Sequence, residues 1–229
     1  RVIKRYFKQQ KKEGIVNEAL LEEGLLLSNE IPNVKTDVVL KKGEDPGDVD
    51  VIVNTEDSSK VSFTMGLSAD YNNYGTDLVT RNRFGAAVEI VDHNFGSVLN
   101  LRGVTGENIE DSALFGANYM LPINSYGTRL GGSYMLSNYV ADPQVLAFGF
   151  GGETQIYGAK LIHPFIKEKN KNLSMTVGWN NKQVKFFTGL AQTNLSNFDR
   201  TDEVYASLDY DSLDRFLGKN IFSGAFYWG

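Results

Sequence analysis

The segment VSFTMGLSADY, residues 61–71, alternates apolar and small or polar side chains without a break. Phe63, Met65 and Leu67 fall on one side of an extended chain, whereas Thr64 and Ser68 fall on the other, because successive strand residues point to opposite faces. About ten residues is also the length that a tilted strand needs to cross a bilayer. The apolar side therefore faces either a protein core or lipid, and this alternative decides the class of protein.

Composition narrows the function classes. The 229 residues carry a net charge of −5, which argues against a nucleic-acid binder, and contain no cysteine, which excludes disulfides and thiolate metal sites. The two histidines, His93 and His163, lie at the ends of different predicted strands, so no histidine-based zinc or catalytic cluster is expected. No carboxylate pair and no G-x-x-x-x-G-K-[ST] motif indicates catalysis or nucleotide binding. We therefore expect a protein that is not an enzyme and that has no cofactor and no metal.

Residues 1–56 have the pattern of a small α/β unit. Val2, Tyr6 and Phe7 repeat at helical spacing, and Asn17 is placed to cap a second helix with a leucine stripe, which Pro32 ends. Two short strands, 34–40 and 49–53, follow around a connector rich in turn formers.

From residue 59 onward the helical spacing disappears and about nine strands are predicted. They cover 61–71, 83–91, 97–105, 113–121, 128–138, 153–165, 173–180, 203–210 and 220–228. Residues 142–152, including the GFGG run 149–152, and 181–201 are predicted as longer loops, with Asp142, Asp199 and Asp202 on the loop surface. Alternate connections are shorter and longer, as in bacterial outer-membrane barrels, which places the α/β unit on the periplasmic side.

The face opposite the apolar one is rich in serine, threonine, glycine and asparagine and poor in charge, unlike a water-exposed soluble sheet. Aromatic residues also lie near the strand ends, where interfacial girdles form. The pattern favours an antiparallel transmembrane β-barrel over the alternative, a soluble β-sandwich or lipocalin-like barrel.

The order of motifs resembles a known family. LLLSNEIPNV, the DPGD loop and DVDVIVN, followed by YNNYGTDLVTRNRFGAAVEIVDHNFGSVLNLRG, YMLPINSYGTRLGGSYMLSNY and HPFIKEKNKNLSM, are similar to the POTRA domain and early barrel strands of TpsB transporters. These are the outer-membrane partners in two-partner secretion in Gram-negative bacteria, of the haemolysin secretion and activation type, within the Omp85 superfamily. The resemblance extends over essentially the whole chain, and the order of the motifs is more specific than any one of them.

The resemblance implies a periplasmic POTRA-like domain at 1–57, with its first strand missing, and the N-terminal part of an outer-membrane barrel at 58–229, about nine of sixteen expected strands. We therefore expect a fragment of a longer, monomeric protein. Such a protein exports, and in some cases activates, one large β-helical TpsA exoprotein. The POTRA domain would bind the unfolded partner, and the barrel would form the conduit.

Candidate functional residues follow from the predicted faces and from this resemblance. POTRA recognition by strand addition indicates side chains on the first strand as partner contacts: Lys35, Asp37, Val39 and Lys41. The predicted pore-lining residues are Thr64, Ser68, Arg83, Glu89, Arg102, Arg129 and Lys160. The predicted lipid-facing residues are Phe63, Met65, Leu67, Phe115, Tyr119, Met175 and Val177.

Two other functions remain open. An Omp85-type assembly factor would insert other barrels into the membrane and would carry more POTRA domains. A passive porin or a soluble β-barrel binder would have no POTRA domain, which the α/β pattern of residues 1–56 disfavours.

Overall fold

Three helices begin the chain: α1 (Val2–Tyr6), α2 (Lys8–Glu13) and α3 (Glu18–Asn29). In this computed structural model the described residues are 2–57, 62–77, 79–141, 149–190, 193–214, 216 and 218–229. Val61 at the start of the opening motif and Asp142 in a predicted loop lie outside these ranges.

The helix boundaries have local causes. Gly14 ends α2 in the left-handed conformation with φ 74°, which a glycine adopts without steric cost. Asn17 caps α3, because its side-chain oxygen accepts hydrogen bonds from the backbone N–H of Ala19 at 3.0 Å and of Leu20 at 3.4 Å. The Gln10 amide holds the intervening loop by donating to the Ile15 carbonyl at 2.7 Å and accepting from the Asn17 N–H at 2.9 Å.

The helices are followed by a two-stranded antiparallel hairpin, β1 (Val34–Lys42) and β2 (Val49–Asp57). Residues with apolar side chains on alternate positions, among them Val34, Val38, Val51 and Val53, share the face that meets the helices. Of the leucine stripe on α3, Leu21 and Leu27 are buried, whereas Leu20 and Leu25 are half-buried.

Nine further strands form one antiparallel sheet in which every strand pairs with its sequence neighbour. They are β3 (Phe63–Asn72), β4 (Arg83–Asp92), β5 (Ser97–Thr105), β6 (Ser112–Pro122), β7 (Arg129–Val140), β8 (Gly149–Glu168), β9 (Lys171–Leu190), β10 (Thr193–Asp214) and β11 (Gly218–Trp228). The predicted mainly antiparallel β architecture is confirmed. The sheet is open, since β3 and β11 are its two edges.

The strands β8, β9 and β10 are 20, 20 and 22 residues long, about twice the length of β3 to β7. The prediction of a loop over 181–201 is therefore wrong, because most of that segment is strand. The GFGG run at 149–152 belongs to β8, and Asp199 and Asp202 lie within β10 and not on a loop. Polar residues of the kind that usually occur in loops are accommodated in these strands because they pair with side chains on the neighbouring strand.

Candidate functional site

The register of the nine-stranded sheet sorts the predicted residues into two faces. Cross-strand partners in an antiparallel pair share a face, and Met65 lies opposite Ile90 while Thr64 lies opposite Val91. Followed strand by strand, one face contains Phe63, Met65, Leu67, Phe115, Tyr119, Met175 and Val177. The opposite face contains Thr64, Ser68, Arg83, Glu89, Arg102, Arg129 and Lys160. The register determines only the face, so contact with lipid or a lumen stays a prediction.

The apolar face is uncovered among the described residues. Phe63 is 56% exposed, Met65 57% and Leu67 71%, values far outside those of core residues. A contiguous exposed apolar surface of this kind marks an interface with protein or membrane. This exposure argues against a closed soluble sandwich built from the described strands.

On β3, β4 and β5 the polar face has few large side chains. The Asp70 carboxylate lies over Gly85, where a Cβ atom would clash with it, and pairs at 3.8 Å with the Arg102 guanidinium. Both side chains are more than half exposed, so this pair contributes at most about 1 kcal/mol. A shallow groove of 470 Å³ runs past Ser68, Glu89 and Arg102. Small residues thus leave space along this face.

Lys160 lies farther along the same face. Its aliphatic stem crosses Gly131, whose hypothetical Cβ atom would lie 3.0 Å from the Lys160 Cγ and 3.2 Å from the Met120 methyl group. The glycine therefore leaves room for the Lys160 stem to lie against the sheet.

Arg129 is paired with the helical region. Its guanidinium lies 3.2 Å from the carboxylate of Glu30, the residue that follows α3, and Lys167 at the end of β8 binds the other oxygen of the same carboxylate. The three side chains are 22–34% exposed. Glu30 therefore links the start of β7 and the end of β8 to the helical region.

The helices also pack against the strands through an apolar cluster. Val2, Tyr6, Leu27, Ile31 and Val34 surround Val91, which is 1% exposed and lies on the polar face near the end of β4. The Val2 N–H donates to the Asn94 carbonyl at 2.9 Å. The cluster closes the end of β4 and β5 with apolar side chains from the α/β unit.

Contacts of the α/β unit reach three turns of the sheet, which are alternate connections along the chain. In the β4–β5 turn, Gly96 has φ 71° and its hypothetical Cβ would lie 3.0 Å from Val2. At the β6–β7 turn, Arg5 donates to the Pro122 carbonyl at 3.2 Å, and Gly127, with φ 75°, lies against Leu27. At the β8–β9 turn, the Lys169 N–H donates to the Glu22 carboxylate at 3.0 Å. All three turns are at the same end of the sheet, so we define these contacts together with Glu30 as the junction.

The junction contains a partly buried acid, Glu23 on α3. Burial raises the pKa of its carboxyl group, and a positive charge on His163 opposes that shift. The His163 ring is held by the Thr128 hydroxyl, with Nδ1 and Oγ1 2.8 Å apart. Burial likewise raises the pKa of Tyr6, which lies near Arg129 and Glu30.

The predicted partner contacts lie on the outer face of the hairpin. Lys35, Asp37, Val39 and Lys41 are paired with Glu56, Asn54, Ile52 and Asp50, and the Lys35–Glu56 ion pair measures 3.8 Å. These side chains face away from the helices, because the residues at the other parity meet α3. The structure therefore groups the four residues, and their role in binding stays a prediction.

The outer edge of β1 is partly occupied by Asn29. Its side-chain amide accepts from the Thr36 N–H at 2.7 Å and donates to the Thr36 carbonyl at 3.2 Å, like a neighbouring strand. Because backbone groups alternate in direction along an antiparallel strand, Val38 and Leu40 present theirs outward beyond this point. The backbone groups available for strand addition thus belong to Val38 and Leu40, whereas those of the four predicted residues point to β2.

A cavity of 720 Å³ lies on the other side of the hairpin. It is bounded by α1, α2 and the apolar face of β2, with Phe7 and Val51 among its lining residues. The His93 ring, 5% exposed in the β4–β5 turn, also lines it, and neither ring nitrogen has a hydrogen-bond partner among the described residues. Position along the chain gave no signal for the surroundings of His93, Glu30 or Lys167, because the residues near each of them in the structure are distant in the sequence.

Metal sites and membrane-spanning helices were both sought among the described residues. No group of three or more histidine, aspartate or glutamate side chains there is arranged to hold a metal ion. None of the described helices is long and apolar enough to cross a membrane.

Curated relatives and solved structures resemble this chain. The heme/hemopexin transporter protein HuxB of Haemophilus influenzae is 25% identical over 167 residues, which are 72% of this chain and 28% of HuxB. CdiB from Escherichia coli has a TM-score of 0.74 at 14% identity over 90% of this chain and 38% of CdiB. CdiB from Acinetobacter baumannii has a TM-score of 0.64 at 17% identity over 93% of this chain and 40% of its own.

A third structure, BamA from Haemophilus ducreyi lacking POTRA domains 1–3, has a TM-score of 0.54 at 14% identity over 96% of this chain and 45% of BamA. No protein-family model matches the chain. The predicted resemblance to TpsB transporters and the Omp85 superfamily is confirmed, and the open antiparallel sheet of this chain has the fold of part of the CdiB and BamA structures. The chain spans about a quarter to under half the length of these proteins.

Proposed function

We propose that this chain is the periplasmic and early-barrel part of an outer-membrane pore that exports one large partner protein by two-partner secretion. The observation that carries the proposal is the combination of an exposed apolar sheet face with an α/β unit joined to three turns at one end. HuxB and CdiB support the general kind of protein, a transporter with a secreted partner.

In this proposal residues 1–57 are a POTRA-like domain in the periplasm and residues 58–229 are barrel wall. The apolar face contacts lipid, and the polar face with Arg102, Glu89 and Lys160 lines the conduit. The protein is a monomeric conduit and not an enzyme, and export needs no cofactor. The folding of a β-helical TpsA partner outside the cell supplies the free energy.

Partner recognition uses strand addition at the outer edge of β1. The backbone groups of Val38 and Leu40 face outward, and the Asn29 amide occupies the edge at Thr36. An incoming segment therefore pairs with the half of β1 that lies beyond Thr36. Side chains of Asp37, Val39 and Lys41 then border the added segment.

The test is export of the partner in cells that carry the full-length transporter and its neighbouring large exoprotein. Val38→Pro and Leu40→Pro remove outward N–H donors, so we expect a loss of partner in the medium with normal amounts of folded barrel, measured by heat-modifiable migration. Val38→Ala and Leu40→Ala serve as the controls, because they shorten the same side chains but keep the outward backbone N–H donors. Unchanged export by both proline variants would refute recognition at this edge.

The likeness to BamA favours one second candidate, an assembly factor for other barrels. Depletion of the protein distinguishes the two functions. A secretion pore leaves the levels of unrelated outer-membrane barrels unchanged, whereas loss of an assembly factor lowers them together.

A further inference from the structure

The exposed face of the sheet changes character abruptly along the long strands β8, β9 and β10. One cross-strand row of this face consists of Ala159, Trp179 and Val204, and the next row toward the β8–β9 turn, Leu161, Val177 and Ala206, is also apolar. The row after it contains Met175 and Leu208 together with His163. The next row in the other direction consists entirely of polar side chains. The change takes place within one step of two residues, about 7 Å along the strands.

The polar side chains form three consecutive rows, which we call the polar patch. The first row is Tyr157, Asn181 and Asp202, and the second is Gln155, Gln183 and Arg200. The third contains Glu153 and Lys185, and its β10 member is the exposed Phe198, which borders the patch. The rows lie on the same face as Met175 and Val177, because their positions along β9 have the same parity. The patch is therefore a direct continuation of the apolar surface.

Hydrogen bonds hold the patch together. Asn181, 3% exposed in the first row, donates to the Asp202 carboxylate at 2.7 Å and accepts from the Gln183 amide at 2.9 Å. The Tyr157 hydroxyl donates to Gln155 at 3.0 Å. The side chains are thus arranged in advance of any contact with another molecule.

Lys185 and Arg200 in the polar patch have N–H donors beyond those in their ion pairs. Lys185 lies 3.9 Å from the Glu153 carboxylate and Arg200 contacts Asp202 through Nε at 3.3 Å, and both cationic side chains are more than half exposed. A guanidinium has five N–H donors and an ammonium has three, so each group has further donors besides its ion pair. Arginine forks and lysine point charges are the usual protein ligands of phosphate, and amides and hydroxyls suit sugar hydroxyls.

Trp179 marks the boundary between the two surfaces. Its ring belongs to the apolar row, 40% exposed, and the first polar row lies directly beside it. Tryptophan is enriched at headgroup depth, between hydrocarbon and polar groups.

We infer that the polar patch binds the phosphorylated sugar headgroups of the glycolipid that forms the outer leaflet of the outer membrane. The inference rests on the proposed membrane barrel, since the apolar rows must face the acyl chains. Three rows about 7 Å apart cover the depth of a glycolipid headgroup layer and not that of a single phosphate. Arg200 and Lys185 contact phosphate, and the amides of Gln155 and Gln183 contact sugar hydroxyls.

The test compares full-length proteins in phosphatidylethanolamine vesicles with and without lipid A that carries its inner-core sugars. Bound glycolipid is counted by mass spectrometry after mild detergent extraction. We expect the double variant Lys185→Gln, Arg200→Gln to retain glycolipid about tenfold more weakly than the unmodified protein, because each of the two lost charge contacts is more than half exposed and therefore weak. Lys182→Gln is the matched control, because Lys182 is an exposed lysine on the opposite face of the same strand, and it should retain glycolipid normally.

Equal retention by the double variant and the unmodified protein would overturn the inference, as would an equal loss in the Lys182 control or equal retention of phosphatidylethanolamine. Insertion is measured separately, by protection of Met65→Cys from a water-soluble thiol reagent in both kinds of vesicle. An unprotected Met65→Cys refutes the membrane barrel itself. Protected cysteine with unaltered glycolipid retention refutes only the role of the patch.

Discussion

Replacement of Glu30 by glutamine should loosen the α/β unit from the sheet. The Glu30 carboxylate is shared by Arg129 and Lys167, whose side chains are 34% and 22% exposed. Fully exposed pairs contribute less than about 1 kcal/mol, whereas breaking a buried pair costs about 3–5 kcal/mol. For this intermediate exposure we expect a cost of about 2 kcal/mol, which is roughly a 30-fold increase in the population of the open junction.

Hydrogen exchange of the full-length protein measures this opening directly. The amides at the end of α3 and at the start of β1 should exchange about 30-fold faster in Glu30→Gln, while amides in β9 keep their protection, because local opening leaves the sheet intact. Glu13→Gln, at an exposed position in α2, is the control and should change neither region.

A double-mutant cycle separates this effect from a general weakening of the helix. If Glu30 acts through Arg129, the double variant Glu30→Gln, Arg129→Gln should open about as readily as the less stable single variant. Additive effects of the two substitutions, or protection of α3 that does not change in Glu30→Gln, would refute the assignment of Glu30 as the link between helix and strands.

Three further outcomes are expected. Met65→Cys should be protected from water-soluble thiol reagents and Thr64→Cys should be labelled; the reverse pattern would exchange the two faces. Burial raises the pKa of Glu23 above its ordinary value of 4.5. The folded state therefore loses stability as pH rises from about 4.5 through the raised pKa of the folded protein. Glu23→Gln should therefore resist urea better than the unmodified protein at neutral pH, with the difference vanishing below pH 4.5. Gly127→Ala should destabilise the junction by about 1–3 kcal/mol in urea-dependent proteolysis, because φ is 75° and the added Cβ would lie 2.5 Å from Leu27; unaltered cleavage would contradict this close contact.

The short strands were predictable because their side chains alternate cleanly. The prediction for residues 83–91 differs from the observed Arg83–Asp92 by one residue, and that for 97–105 agrees with β5. Their faces also follow from sequence, since strand periodicity alone assigns Met65 and Thr64 to opposite sides.

The extensions of β9 and β10 could not be predicted in this way. Residues such as Asn181, Asp199 and Asp202 have low strand propensity, and isolated segments that contain them have the composition of loops. In the sheet, Asn181 finds its partner in Asp202 on the next strand, and this pairing depends on a register that no single segment encodes. The Glu30–Arg129 pair is hidden for the same reason, since 99 positions separate the two residues in the chain.

The contacts of the α/β unit with three turns have a mechanical consequence. The turns join β4 to β5, β6 to β7 and β8 to β9, so the attachment points are spread over six adjacent strands. Three attachment points restrict rotation of the α/β unit relative to the sheet more than a single attachment point would. A pull on a polypeptide that joins the edge of β1 would therefore be shared among three hairpins.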